Sequence, residues 1–227
     1  MKKLLFFFCA IIVVFCFRAV CSAIPVTFTY TADNIVDAWF LVDGAGTQQL
    51  ADGTHYDNWQ IANTATIELL DGHSYKIIWQ CENSCPSNDH NPGGFLGEMT
   101  PSPYFTAASL LSSAQWEVAF VNSSTVPLDF DALNWSYATE YGNNGGANIW
   151  KSVKGSAITG ISSSAQWIWT SLNFADSGAP TDNQSVYVKV TLNPVPEPST
   201  FLLFGLGTLG FVGIIRRKKI SQSKSLI

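Results

Sequence analysis

The chain has 227 residues, of which 47% are hydrophobic and only 13% are charged. This is enough apolar sequence for one well-buried domain, and it excludes a mainly disordered chain. Residues 24–193 contain sixteen acidic and four basic side chains, a net charge of −12. Such a charge repels phosphate backbones and anionic lipid, which excludes nucleic acid as a partner of this segment.

The N-terminal residues predict a signal peptide. Lys2 and Lys3 precede an apolar run over residues 4–17, and Cys21 and Ala23 place small residues where a signal peptidase reads them. We therefore expect export, with cleavage by signal peptidase after Ala23 and removal of residues 1–23. The alternative is a buried N-terminal helix, but the order of a basic region, an apolar region and a small-residue exit is typical of export signals.

Between residues 24 and 193, short runs of β-branched and aromatic residues predict an all-β domain. The predicted strands cover residues 26–30, 38–42, 66–70, 75–79, 94–99, 115–121, 165–170 and 186–190. Asp-Gly pairs at Asp43-Gly44 and Asp71-Gly72 are typical of tight turns. Many short strands joined by turns, without a sustained helical period, favour a two-sheet β-sandwich or jelly roll over residues 24–193.

All eight tryptophans lie within this domain. Indole rings stack well on sugar rings, but they are also frequent core side chains. Five of them lie in apolar runs and are expected to pack inside: Trp39, Trp79, Trp116, Trp167 and Trp169. The aromatic residues in polar, turn-rich surroundings are either core residues or an exposed platform for a polysaccharide: Trp59, Trp135, Tyr141 and Trp150.

Acidic and amide side chains are frequent in the first loops of the domain. Calcium binds six to eight hard oxygen ligands of this kind, which makes a Ca²⁺ site one interpretation. The favoured alternative is that these are solvated turn residues, because their spacing is not that of an EF-hand. The candidate ligands are Asp33, Asn34, Asp37 and Asp43.

Two cysteines remain after removal of the signal peptide. Cys81 and Cys85 are four residues apart in a segment rich in turn residues, and outside the cytoplasm such a pair is expected to form a disulfide. The small loop limits its contribution to about 2 kcal/mol. Zinc is disfavoured, because the further ligands that it needs do not follow at motif spacing.

The sequence offers little support for catalysis. It contains no G-x-S-x-G, H-E-x-x-H or phosphate-binding glycine loop. Asp129 and Asp131 alternate with Phe130 and would share one face of a strand, as the two carboxylates of a glycosidase can. Two carboxylates among the sixteen of this segment are weak evidence for catalysis, and we expect the protein not to be an enzyme.

A second apolar segment lies near the C-terminus. Residues 200–215 are uncharged, and Arg216, Arg217, Lys218 and Lys219 follow directly. As a helix this segment spans about 24 Å, which suits a thin bilayer. The positive-inside rule places the cationic cluster and the tail 220–227 in the cytoplasm and the β domain outside. The alternative, a buried element of the domain, leaves the four adjoining cations unexplained.

Pro196, Glu197 and Pro198 stand directly before this segment. The order of Pro-Glu-Pro, a glycine-rich apolar helix and a basic cluster over residues 194–219 resembles the PEP-CTERM sorting signal of Gram-negative bacteria. The resemblance implies processing by an exosortase, a membrane-embedded cysteine protease, and release toward the cell surface or an exopolysaccharide matrix. The flanking prolines keep Glu197 extended and outside the helix, as a protease cleft requires. The tail 220–227 departs from the family, whose members usually end soon after the basic cluster.

A weaker resemblance covers most of the β domain, which looks like the exported galactose-binding-like jelly rolls that accompany sorting signals. Its motifs are residues 31–34, 42–44, 58–59, 72–79, 92–95, Trp135, Ala138, 141–142, Trp150 and 165–169. In related folds the loops of the sandwich bind a sugar or a calcium ion.

Together these features predict an exported protein of a Gram-negative bacterium. It is expected to be anchored in the inner membrane with its β domain outside the cytoplasm, and then sorted to the cell surface or extracellular matrix. Three roles for the domain stay open: carbohydrate binding, a purely structural or adhesive role without a small ligand, and hydrolysis of a glycan.

Overall fold

The computed structural model of the chain describes residues 23–33, 35–50, 58–83, 93–123, 125–171 and 185–195. The chain divides into two compact units, residues 1–194 and 195–227. Residues 1–22 of the predicted signal peptide, the apolar segment 200–215, the basic cluster 216–219 and the tail 220–227 all lie outside the described residues. Within the described ranges, no helix has the length and apolar character needed to cross a bilayer.

The described residues form twelve strands and very little helix. The first six strands are β1 (Ala23–Asp33), β2 (Ile35–Asp43), β3 (Gly46–Gln49), β4 (Asn63–Leu70), β5 (Tyr75–Glu82) and β6 (Gly94–Met99). The other six are β7 (Phe105–Thr106), β8 (Glu117–Val121), β9 (Ser136–Tyr137), β10 (Thr139–Asn143), β11 (Gln166–Trp169) and β12 (Ser185–Pro194). One short helix, α1, covers Ile149–Lys154. The prediction of an all-β domain is confirmed.

The strands form two antiparallel sheets. The first has the order β10-β11-β6-β1-β4, and the second has the order β3-β2-β5-β12-β8-β9, with β7 paired to the end of β12. The first and last strands of the domain, β1 and β12, therefore both lie inside a sheet. Each of these strands therefore has a hydrogen-bonded neighbour on either side, β4 and β6 for β1 and β5 and β8 for β12.

Aromatic side chains from the inner faces of both sheets fill the space between them. Alternate residues of β1, among them Phe28 and Tyr30, are buried, as expected for a strand with one face toward a core. The ring of Trp79 on β5 lies 5.7 Å from that of Phe28 and is stacked on Trp116 at 5.7 Å. The five tryptophans predicted to pack inside are all buried.

A second, smaller core covers the outer face of the second sheet. Phe130 lies 5.0 Å from Phe40 on β2 and 5.5 Å from Tyr187 on β12, measured between ring centroids. Phe130 belongs to a 3₁₀ turn over Phe130–Ala132, where the carboxylate of Asp129 accepts a hydrogen bond from the amide of Asp131. The Asp131 side chain pairs with Lys76. The expectation that Asp129 and Asp131 share a strand face is therefore wrong, because the segment folds back over the sheet as a turn.

We expect Trp79→Ala to lower the free energy of unfolding by about 3–5 kcal/mol, because it removes a buried ring that contacts both sheets. Leu128→Ala is the control, since Leu128 is fully exposed, and its effect should stay within about 0.5 kcal/mol. Urea unfolding of residues 24–195, followed by circular dichroism, measures both changes. Equal stability of the two variants would contradict this assignment of the core.

Candidate functional site

Asp33, at the end of β1, is a buried carboxyl group. Its backbone pairs with that of Gly94 on β6, and its side chain is only 2% exposed. The Oδ2 atom accepts a hydrogen bond of 2.9 Å from the indole Nε1 of Trp150, whereas Oδ1 has no hydrogen-bond partner in the described part of the chain. Burial raises the pKa of Asp33 to about 7, while the hydrogen bond from Trp150 lowers it.

Trp150 lies in the core and does not form an exposed platform. It is held by α1, which is capped by Asn148, whose side chain accepts a hydrogen bond of 2.9 Å from the amide of Lys151. The Trp150 ring stacks on Trp167 with 4.4 Å between centroids, and it is 2% exposed. A Cβ atom at Gly94 would lie 2.4 Å from Trp150, so only glycine allows this approach. The interpretation of Trp150 as a sugar-binding residue is therefore corrected.

The other three aromatic candidates do not join into one surface. Trp59 and Tyr141 are half-buried and pack on the Trp150–Trp167 cluster, where the Tyr141 hydroxyl donates a hydrogen bond of 3.0 Å to the carbonyl of Thr170. Trp135 packs on the outer face of the second sheet, where its Nε1 donates to the carbonyl of Phe130 at 2.8 Å. The four residues thus belong to two separate clusters, and the polar side-chain atoms of Trp135, Tyr141 and Trp150 are bonded inside the fold.

The acidic candidates are separated along β2. Asp33 lies just before Ile35, where β2 begins, and Asp43 ends β2 about 26 Å further along the strand. The Asp43 carboxylate accepts hydrogen bonds from the amides of Ala45 and Gly46, at 2.7 and 3.1 Å, and so closes the turn to β3. Asn34 and the side chain of Asp37 lie outside the described residues.

Asp33 and Asp43 do not support the interpretation of a shared calcium site, and a site that uses Asn34 or Asp37 stays a prediction. Asp33 is buried against Trp150 and Asp43 closes a turn at the other end of β2, so the two carboxylates cannot bind one ion. Among the described residues, no three His, Cys, Asp or Glu side chains come together as metal ligands.

Cys81 is buried on β5, between Val36 of β2 and Val186 of β12. Cys85 lies outside the described residues, so the disulfide between them stays a prediction.

The C-terminal end of β12 leads directly into the predicted sorting segment. Asn193 and Pro194 pair with Thr106 and Phe105 of β7. A family model described as the PEP-CTERM protein-sorting motif matches residues 194–218. The chain carries a PEP-CTERM sorting motif. The motif indicates an exported protein that is membrane-anchored before processing and is sorted by an exosortase to the cell surface.

No curated protein and no solved structure matches the chain. The resemblance of the β domain to galactose-binding-like jelly rolls therefore has no support from structural neighbours. The PEP-CTERM match covers residues 194–218 only, so the role of the β domain depends on its own geometry.

The buried Asp33 should make stability depend on pH. Because its pKa is raised in the folded state, folding favours the protonated form, and this contribution is lost as the pH rises from about 4 to about 7. We expect Asp33→Asn, which keeps an acceptor for Trp150 and cannot ionise, to gain up to about 3 kcal/mol relative to wild type between about pH 5 and about pH 8.

Urea unfolding of residues 24–195 at both pH values measures this difference. Asp71→Asn is the matched control, because Asp71 lies in the turn between β4 and β5 and its carboxylate bonds only locally, to the amide of Gly72. The same pH slope in wild type and Asp33→Asn would show that Asp33 is ionised in the fold.

Proposed function

We propose that this protein is a non-enzymatic component of the cell envelope or extracellular matrix, sorted by an exosortase, with a β-sandwich that has a structural or adhesive role. The observation that carries the proposal is the junction at Pro194. There the strand β12 ends, with Asn193 and Pro194 paired to β7, and the PEP-CTERM motif begins, so the matched segment starts on the last residue of the folded sheet. Such a junction is expected of a protein whose folded domain is what the sorting motif delivers to the cell surface.

The contacts that the aromatic side chains make inside the fold support a structural role over carbohydrate binding. A sugar-binding platform needs adjacent exposed rings. Here Trp150 is stacked inside a cluster, and the Trp135 ring lies under the ammonium group of Lys189, 4.2 Å from the ring centroid. That ammonium group also pairs with Glu117 at 3.0 Å. The polar partners of these rings are therefore supplied by the protein itself.

The absence of catalysis is part of the proposal. Glycoside hydrolysis needs two carboxyl groups that face each other across a substrate. Of the pair with suitable spacing in the sequence, Asp129 binds the backbone of the 3₁₀ turn and Asp131 binds Lys76. Both are better explained as residues that hold the turn over the second sheet.

Replacing Glu197 by Ala should block sorting, because the central carboxylate of the Pro-Glu-Pro tripeptide is lost while the domain is unchanged. In cells with a cognate exosortase, we expect the variant to stay in the inner-membrane fraction and the wild type to reach the surface. Thr64→Ala, at an exposed position near the start of β4, is the control and should be sorted normally. Normal surface release of Glu197→Ala would contradict the role of the motif.

Purified residues 24–195 should show no retention on a panel of matrix polysaccharides, with calcium or with chelator. Affinity electrophoresis measures this, with Trp59→Ala and the exposed-site variant Leu128→Ala as a matched pair. Retention that Trp59→Ala abolishes and Leu128→Ala leaves intact would establish carbohydrate binding. A dependence of that retention on calcium would add a metal.

A further inference from the structure

The end of the sandwich from which β12 leaves is built as one connected set of contacts. The hydroxyl of Tyr75 accepts a hydrogen bond of 3.0 Å from the amide of Leu70, at the end of β4. The ring of Tyr75 packs edge-on against Phe105 at 5.8 Å, and Phe105 pairs with Pro194. The last residue of β12 is therefore tied to the end of β4 through two buried rings.

Two large apolar side chains are exposed at this end. Leu70 is 41% exposed and Tyr104, which precedes Phe105, is 47% exposed. Neither is needed to fill the core, because their buried neighbours Leu69 and Phe105 do that. We call Leu70, Tyr104 and Thr106 the exit surface.

The chain leaves little distance between the exit surface and the sorting motif. Val195 alone separates the paired residue Pro194 from Pro196. Five residues, 195–199, separate Pro194 from the apolar segment, and five extended residues span at most about 17 Å. A protease that binds an extended peptide around Glu197 must therefore come within a few residues of folded β-sheet.

We propose that the exit surface is a docking site for the exosortase, so that recognition extends beyond Pro196–Pro198 to Leu70 and Tyr104 on the folded domain. This inference rests on the proposed sorting function. The occupant is the membrane-embedded exosortase, because the tripeptide that it reads begins at Pro196, with only Val195 between it and Pro194, the partner of Phe105. Exposed Leu and Tyr side chains next to a strand end are suited to contact with a protein partner.

The charges around the exit surface argue against a lipid surface as the occupant. The adjoining turns and strand ends carry the carboxylates of Asp43, Glu68 and Asp71 and the imidazole of His73. The ammonium group of Lys76, which follows Tyr75 on β5, is paired with Asp131. Anionic lipids are attracted by unpaired Lys and Arg side chains, and none adjoins Leu70 or Tyr104 in the described turns.

The test uses the full-length chain in cells with the cognate exosortase, and pulse-chase labelling follows the loss of the C-terminal segment. The double variant Leu70→Ser/Tyr104→Ser removes both exposed side chains. The matched control is Ile61→Ser/Leu128→Ser, which changes two exposed apolar residues away from the exit surface, Ile61 lying before the opposite end of β4. We expect processing of the first variant to slow by about fivefold or more, and that of the control to keep the wild-type rate.

A second variant moves the motif without changing the exit surface. Eight Gly and Ser residues inserted between Val195 and Pro196 leave the exit surface and the Pro196–Pro198 tripeptide unchanged but lengthen the chain between them. If the enzyme contacts both at once, processing should slow, because the longer chain lowers the effective concentration of the motif at an enzyme bound to the exit surface. Faster processing, or an unchanged rate, would overturn the proposal. Either result would show that the folded sheet near the motif does not help the enzyme to bind Pro196–Pro198.

Further outcomes separate this inference from the proposed function. If Glu197→Ala blocks processing while Leu70→Ser/Tyr104→Ser is processed at the wild-type rate, the docking site is wrong and sorting by the motif holds. If Glu197→Ala is processed normally, both fail. Sedimentation of wild-type protein, residues 24–195, with phosphatidylethanolamine and phosphatidylglycerol vesicles tests the lipid alternative. Binding that depends on Leu70 and Tyr104 would assign the exit surface to the membrane and overturn the docking site.

Discussion

The pairing of β12 on both sides is the constraint on which the rest of the structure depends. This strand joins β5 to β8, and its alternate residues complete both the core between the sheets and the smaller core around Phe130. It is also the last described strand before the sorting motif. The stability of the domain thus depends on the same ten residues, Ser185–Pro194, that lead into the sorting motif. A change that weakens β12 should affect folding and sorting together.

The fold class could be predicted because the longer strands carry their own pattern. Six of the predicted runs lie within β1, β2, β4, β5, β6 and β12, and the runs 115–121 and 165–170 overlap β8 and β11 but extend beyond them, since alternation and turn residues are local properties. Strands β3, β7, β9 and β10 were not predicted. Each has at most five residues, and two of them have only two. Strands this short exist because a partner strand lies beside them. For β7, β9 and β10 that partner is distant in sequence, whereas β3 is added to β2 by a tight turn.

The candidate site was harder to predict, because its contacts join residues that are distant in sequence. Trp150 follows a loop rich in Gly and Asn, which favours exposure, but the space that buries it is created by the missing side chain of Gly94. Asp33 was grouped with other acidic residues of the first loops, and no local signal indicates that its carboxyl faces an indole from residue 150. The sorting motif could be predicted from sequence, because it is a linear signal whose parts stand in a fixed order.

The central claim is that the folded sandwich reaches the surface without its C-terminal segment. Mass spectrometry of the mature protein, isolated from the surface or matrix of cells that contain the exosortase, tests this most directly. The account predicts a C-terminus at or near Pro196–Pro198 and no peptides from residues 200–227. Surface protein that still carries the apolar segment and the Arg216–Lys219 cluster would contradict it.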